Sequence, residues 1–148
     1  TRGSVDQIYR DQVILDHCRN PRNQRKVQSP DITGDAINPF CGDEIHIQIR
    51  LGLDDLISEI SFQGEGCAIS QSSASMMTEA IQSHTIEEAK KLVTVFKEMM
   101  QGKALTQVEE ENLGSLTILQ GVREYPVRIK CALLTWSTLQ DAILELEK

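Results

Sequence analysis

Residues 38–62 read NPFCGDEIHIQIRLGLDDLISEISF. From Glu44 onward the run alternates: Ile45, Ile47, Ile49 and Leu51 fall on one face, and Glu44, His46, Gln48 and Arg50 on the other. A period of two marks a strand with one face buried. Residues 56–62 repeat the pattern, with Leu56, Ser58, Ile60 and Phe62 on one face. Between them, Gly52, Leu53, Asp54 and Asp55 supply a hairpin connection. Residues 34–40 predict a third, shorter edge strand, a place that tolerates Pro39. Ahead of the first long strand, a turn bent by Pro39 and Gly42 carries a thiol, Cys41, and a carboxylate, Asp43.

Outward from this hairpin the period changes to that of helices. Upstream, Ser4 and Gln7 form a capping-box signature, followed by Val5, Ile8, Tyr9, Val13 and Leu15 at roughly helical spacing up to Asn20-Pro21. Downstream, Gly64-Glu65-Gly66 precedes a helix over about 68–82, whose small serines, Ser70, Ser72, Ser73 and Ser75, let another backbone approach. Thr85 and Glu88 form a second capping box, opening a helix through Val93, Phe96 and Met100 to Gly102. Residues 103–121 are acidic and mixed, with a short apolar cluster at Leu113, Leu116, Ile118 and Leu119. After Tyr125-Pro126 a last helix carries Ala132, Trp136, Leu139, Ile143 and Leu146 on one stripe. Strands first and helices after predict an α+β fold, a small antiparallel sheet of about three strands packed by helices.

A chain of 148 residues is a single domain, 1–148, by length. A domain of that size buries roughly 68–70% of its unfolded surface, so it builds a core without disulfide staples. The net charge of −7 argues against nucleic acid as a partner, which needs clustered positive charge. The one basic cluster, RNPRNQRK from Arg19 to Lys26, reads either as a solvated face or as a docking surface for an acidic partner or for the protein's own acidic site. No run approaches the ~20 apolar residues that span a bilayer, and none resembles a signal peptide. A reducing, cytoplasmic location is therefore expected, in which metal binding or thiol chemistry outranks disulfides for Cys18, Cys41, Cys67 and Cys131.

Cys67 and Cys131 are each expected where a helix begins, where unpaired N–H groups and the macrodipole favour negative charge. Cys41, Asp43, Cys67 and Cys131 make a four-ligand set suited to tetrahedral Zn²⁺ or an iron–sulfur cluster. Such a set is net negative, and Lys130 stands beside Cys131. The spacing contains no CxxC pair, so three separate core cysteines and a cysteine-nucleophile enzyme stand beside the shared site as readings of the same residues. Cys18, with no glycine or carboxylate turn, reads as a packing cysteine; His17, His46 and His84 read as structural or exposed, with His46 the nearest to an exception because its strand follows Asp43.

NPFCGDEI (38–45), FQGEGCAISQSSASMMTEAI (62–81) and YPVRIKCALLTW (125–136) resemble the three cysteine motifs of the IscU/NifU-type iron–sulfur cluster assembly family, and HCRNPRN (17–23) resembles its N-terminal motif. The resemblance runs in order through nearly the whole chain. It implies an IscU/SufE-like fold and a metal or cluster site at Cys41, Asp43, Cys67 and Cys131, and it matches Cys18 to no family cysteine. Lys130 stands where the scaffold branch has histidine, and Tyr125-Pro126-Val127-Arg128 replaces that branch's Leu-Pro-Pro-Val-Lys chaperone segment. An extra segment at about 103–119 is also absent from the scaffold branch. These departures resemble the SufU-like branch of Gram-positive bacteria.

The resemblance to that branch implies a zinc-dependent sulfurtransferase that acts with a cysteine desulfurase rather than alone. It takes persulfide sulfur on Cys41, whose place on the metal a desulfurase histidine can fill, and passes the sulfur to downstream iron–sulfur assembly proteins. Of the cysteines, Cys41 is also the one on a loop, where a thiolate swings more easily than at a helix start. Two other functions are compatible with the same residues: a scaffold that binds iron or assembles an iron–sulfur cluster on them, and an interaction module whose zinc is purely structural.

Overall fold

The computed structural model describes residues 12–38 and 42–147. Its sheet has three antiparallel strands in the order β1-β2-β3: β1 (Ile32–Asn38), β2 (Asp43–Leu51) and β3 (Ile57–Gln63). The alternation in β2 has the expected consequence. Ile45, Ile47 and Ile49 are buried, while His46, Gln48 and Arg50 stand half-exposed on the other face. The inner row is built from cross-strand partners: Ile32 opposite Ile49, Ile47 opposite Phe62 and Ile49 opposite Ile60. Such pairs are the unit of sheet stabilisation. The edge strand β1 spans seven residues and begins earlier than residue 34; Pro39 and Phe40 lie outside the described residues.

The second strand of the hairpin corrects the sequence reading of its faces. Leu56 and Ser58 were expected inside, but Leu56 is 38% exposed and Ser58 is exposed, whereas Ile57 is fully buried. The cause is a register shift: Arg50 pairs with Glu59 but Leu51 pairs with Ile57, so one extra residue sits on β3. A β-bulge flips the side-chain alternation on one side of itself. The connection is a short 3₁₀ turn, Leu53–Asp55, in which Asp54 and Asp55 take positive φ, a conformation aspartate tolerates better than most residues.

Five α-helices are present among the described residues: α1 (Gln12–Arg19), α2 (Ala68–Ile81), α3 (Ile86–Met100), α4 (Gln107–Leu113) and α5 (Pro126–Leu146). The capping box at Ser4 lies outside the described residues; α1 ends at Arg19, just ahead of Asn20-Pro21. Thr85 and Glu88 cap α3 reciprocally, as expected. The acidic segment is more ordered than its composition suggests. Thr106 and Glu109 form a further capping box that opens α4, and a 3₁₀ segment, Gly114–Glu124, continues the chain. Leu113, Leu116, Leu119 and Val122 are buried at steps of three, the spacing that puts one face of a 3₁₀ helix inward.

The longest helix, α5, organises the core. It packs on the inner face of β1 and β2 and against α2 and α3. Its approach to β1 is close: a Cβ on Gly34 would stand 3.1 Å from the side chains of both Ala142 and Thr138. Trp136 is fully buried and stacks on Phe96 with ring centroids 4.3 Å apart and ring planes 14° from parallel. Ala132, Leu139 and Ile143 are buried with it, while Leu146 is 44% exposed at the helix end.

Arg22 and Arg25 of the basic cluster serve the fold. Arg22 reaches Asp16 and Glu79, and Arg25 reaches Glu59 at 3.0 Å. The segment they occupy is also tied to α2: the Arg22 backbone N–H donates to Ser75 Oγ at 2.8 Å, and Asn23 Nδ2 donates to Thr78 Oγ1 at 3.0 Å. No helix among the described residues is long and apolar enough to cross a membrane.

Candidate metal centre

The inner row of β2 runs Ile49, Ile47, Ile45 and then Asp43. A carboxylate thus occupies the last inward position of a hydrophobic face, and Asp43 is fully buried. The loop from β3 to α2 comes back alongside it. Glu44 N–H donates to Glu65 O at 2.7 Å. Gly64 makes this approach possible: its φ is +141°, and a Cβ there would sit 2.0 Å from Glu44 O. At Gly66 a Cβ would meet Asp43 Oδ1 at 2.5 Å and Ser70 Oγ at 2.4 Å. Two glycines thus let the loop lie against the carboxylate and deliver Cys67.

Cys67 is the N-cap of α2, as expected, and no side chain caps that helix end. Its backbone N–H donates to Asp43 Oδ1 at 2.9 Å. Cys131 differs from expectation. The helix that carries it begins at Pro126, so Cys131 lies in the second turn rather than at the helix mouth, beyond the first turn in which the macrodipole acts strongly. Packing of α5 on α2 brings it into place, fully buried, with Sγ 3.8 Å from Val127 O. The ligand atoms of Asp43, Cys67 and Cys131 lie within 4.8 Å of one another. Cys41 lies outside the described residues.

The second oxygen of Asp43 tests whether this group fits a metal. Oδ2 is buried and has no hydrogen-bond partner among the described residues. A buried carboxylate oxygen without a donor costs free energy unless a cation or proton meets it. Here it is held beside two thiols by a backbone N–H on the other oxygen. One hard and two soft donors at this separation suit Zn²⁺ or an iron centre.

Cys18 and the three histidines stay apart from this group. Cys18 is half-buried on α1. His17 is buried, with Nδ1 at 2.7 Å from Ser75 Oγ and Nε2 at 3.5 Å from Glu79; burial, and then the Arg22 charge, hold its pKa below the ordinary 6.5. His46 projects from the outer sheet face between Asp35 and Glu44, at 2.5 and 3.0 Å. Hydrogen bonds to those carboxylates, Asp35 first, raise its pKa above 6.5. His84 is exposed near Glu88, and Lys130 is exposed on α5. Two cavities, of 260 and 410 Å³, flank the far end of α2, and neither is lined by a cysteine.

The glycines before Cys67 are expected to let the backbone come close to the site, and Gly66 does so; Ser70 and Ser73 have no role at the site in the sequence reading. Gly66 lies against the Asp43 carboxylate, Ser70 Oγ donates to Cys67 O at 3.0 Å, and Ser73 bridges α2 to α5 through Ala132 and Trp136. The serine-rich composition of the helix was the visible signal, but only the packing assigns each hydroxyl a partner.

Comparison with known proteins places the chain. The NifU-like N terminal domain family matches residues 8–144. The zinc-dependent sulfurtransferase SufU of Bacillus subtilis (strain 168) is 44% identical over 145 residues, which is 98% of this chain and 95% of the relative. The iron–sulfur cluster assembly scaffold protein IscU of Streptococcus pyogenes serotype M1 is 37% identical, covering 88% of this chain and 80% of the relative. Among solved structures, a proposed iron–sulfur cluster assembly scaffold protein for the SUF system from Fervidobacterium islandicum AW-1 superposes with a TM-score of 0.86 at 33% identity, covering 94% of this chain and 98% of that one. Its three-stranded antiparallel sheet and helices, its cysteine–aspartate site and this degree of identity agree: the chain belongs to the NifU-like N-terminal domain family, on its SufU-like branch.

Proposed function

We propose that this protein is a zinc-bound sulfur acceptor for iron–sulfur cluster biogenesis, holding the metal with Cys41, Asp43, Cys67 and Cys131 and taking sulfur on Cys41 from a cysteine desulfurase. The observation that carries this reading is the buried Asp43 Oδ2, without a hydrogen-bond partner among the described residues and with two thiols within 4.8 Å. The likeness to a zinc-dependent sulfurtransferase supports the choice of zinc.

Zinc at this site keeps its thiol ligands deprotonated and shielded from oxidation until they are used. The chain's own residues do the rest. Cys67 is fixed by its place at the start of α2 and by its N–H bond to Asp43. Cys131 is fixed by burial within α5. In sequence Cys41 stands between the ends of β1 and β2, and a Gly42 N–H bond to Asn38 O at 2.9 Å joins the described residues on either side. Cys41 is therefore assigned the transfer step. The Cys41 thiolate attacks the outer sulfur of the partner's cysteine persulfide. A new S–S bond forms on Cys41, the partner's S–S bond breaks, and the partner's cysteine leaves as a thiolate. The sulfur is moved with no net oxidation. Asp43 would offer the metal a harder, weaker ligand than a thiolate.

Peptide mapping tests the assignment. After brief incubation with a cysteine desulfurase and cysteine, the peptide containing Cys41 is expected to gain one sulfur mass, and the peptide containing Cys18 none. Persulfide found first on Cys67 or Cys131 overturns the choice of acceptor. Persulfide on Cys18 alone separates the metal site from sulfur transfer altogether.

A further inference from the structure

The two helices that carry Cys67 and Cys131 are joined by one buried hydroxyl. Ser73 Oγ on α2 donates to Ala132 O on α5 at 2.7 Å and accepts from Trp136 Nε1–H at 3.1 Å. Ser73, Ala132 and Trp136 are all fully buried, as is Cys131 next to Ala132. The single hydroxyl thus acts in both directions at once, which fixes its rotor and both partners. Trp136 is itself held by its stack on Phe96. A second cross-helix contact, Thr135 Oγ1 to Met77 Sδ at 3.6 Å, lies one turn further along.

A serine is a costly choice for such a position. Alanine would fill nearly the same space without a hydroxyl to satisfy, and buried polar groups add stability only when fully bonded. What the hydroxyl adds is specification of how far α5 is rotated and advanced against α2. That setting matters for a shared metal, since ligand distances hold within about 0.2 Å. Ser73 follows Cys67 by less than two turns of α2, and its acceptor carbonyl belongs to the residue after Cys131, so a slip at this contact moves one thiol relative to the other.

We infer that Ser73 is a positioning residue for the metal centre, clasping the Cys131 turn of α5 to the Cys67 helix through the Ala132 carbonyl and the Trp136 indole. This inference rests on the zinc reading proposed above.

Ser75 provides the control. It lies two residues along the same helix, is equally buried, and also bonds two partners, Arg22 N–H and His17 Nδ1. Its bonds run to α1 and the segment after it, not to α5. Zinc affinity is measured by competition with a chromophoric chelator for the wild type, S73A, S73T and S75A, each checked for folding by circular dichroism. Groups standing behind a metal ligand typically carry about 10- to 100-fold in affinity. S73A is expected to fall by that amount. S73T, which keeps the hydroxyl, and S75A are expected to stay within about threefold of the wild type, below that range. Should S73A fail to fold, the contrast of S73T and S75A with a Trp136→Phe variant, which removes the indole donor, carries the same test. Unchanged affinity in S73A, or an equal fall in S75A, overturns the clasp while leaving the metal site standing. A wild-type chain that holds no zinc overturns the zinc reading and the inference with it.

Discussion

Cys67→Ser and Cys131→Ser are each expected to lose most of the zinc that the proposed site would hold while leaving a folded chain. Each replaces a soft thiolate by a hydroxyl that is protonated at neutral pH and a poor zinc ligand. The loss of affinity should exceed the about 10- to 100-fold typical of groups standing behind a ligand. The fold is expected to survive at least in part, because most of the core is built from residues outside the ligand set. Ile47, Ile49, Ile60, Phe62, Phe96 and Trp136, none of them a candidate ligand, are fully or almost fully buried. At position 131 a serine hydroxyl can also donate to the Val127 carbonyl that the thiol now faces. Metal content after gel filtration, read beside circular dichroism, checks both halves of the expectation. Full zinc in both variants would show that the two cysteines do not share a metal.

Gly66→Ala should damage the site without touching any ligand. Its Cβ would press on Asp43 Oδ1 at 2.5 Å and Ser70 Oγ at 2.4 Å. Both contacts are too short to stand, so the carboxylate, held there by the Cys67 N–H, must shift as well as the hydroxyl. Overpacking of this kind costs about 1–3 kcal/mol, and displacing the carboxylate should lower zinc affinity by at least about tenfold, as loss of an orienting contact does. Gly52→Ala serves as the comparison, because a Cβ there meets nothing nearer than 3.8 Å. Chelator competition and urea unfolding of the two variants give the measurements. If Gly66→Ala matches Gly52→Ala in both, the tight packing around Asp43 has no part in holding the metal.

The fold was legible in proportion to how local its causes are. Alternation in β2 and the Thr85–Glu88 box announce themselves in the sequence because neighbours a few residues apart produce them. The bulge at Arg50/Leu51 does not, since it depends on how two strands meet, and one unpaired residue turned Leu56 outward and Ile57 inward. The Thr106–Glu109 box and the three-residue spacing of Leu113, Leu116, Leu119 and Val122 were legible in principle, but acidic composition hid them. Pro126 likewise marks a helix start, which moves Cys131 from the helix mouth into its second turn.

The site divides in the same way. Cys67 at a helix N-cap follows from the glycines before it, but nothing in the spacing of Asp43, Cys67 and Cys131 requires them to meet. On residues alone, separate core cysteines explained the sequence as well as a shared centre did; family motifs tipped the reading toward one site. The structure adds what neither shows: a carboxylate at the end of a hydrophobic row, bonded on one oxygen and without a partner among the described residues on the other.

X-ray absorption at the zinc edge, on protein purified without oxygen, tests the central claim most directly. The four-residue site predicts one zinc per chain, with three sulfur ligands at about 2.3 Å and one oxygen at about 2.0–2.2 Å. Zinc bound by oxygen and nitrogen alone, or iron with acid-labile sulfide in place of zinc, would contradict it.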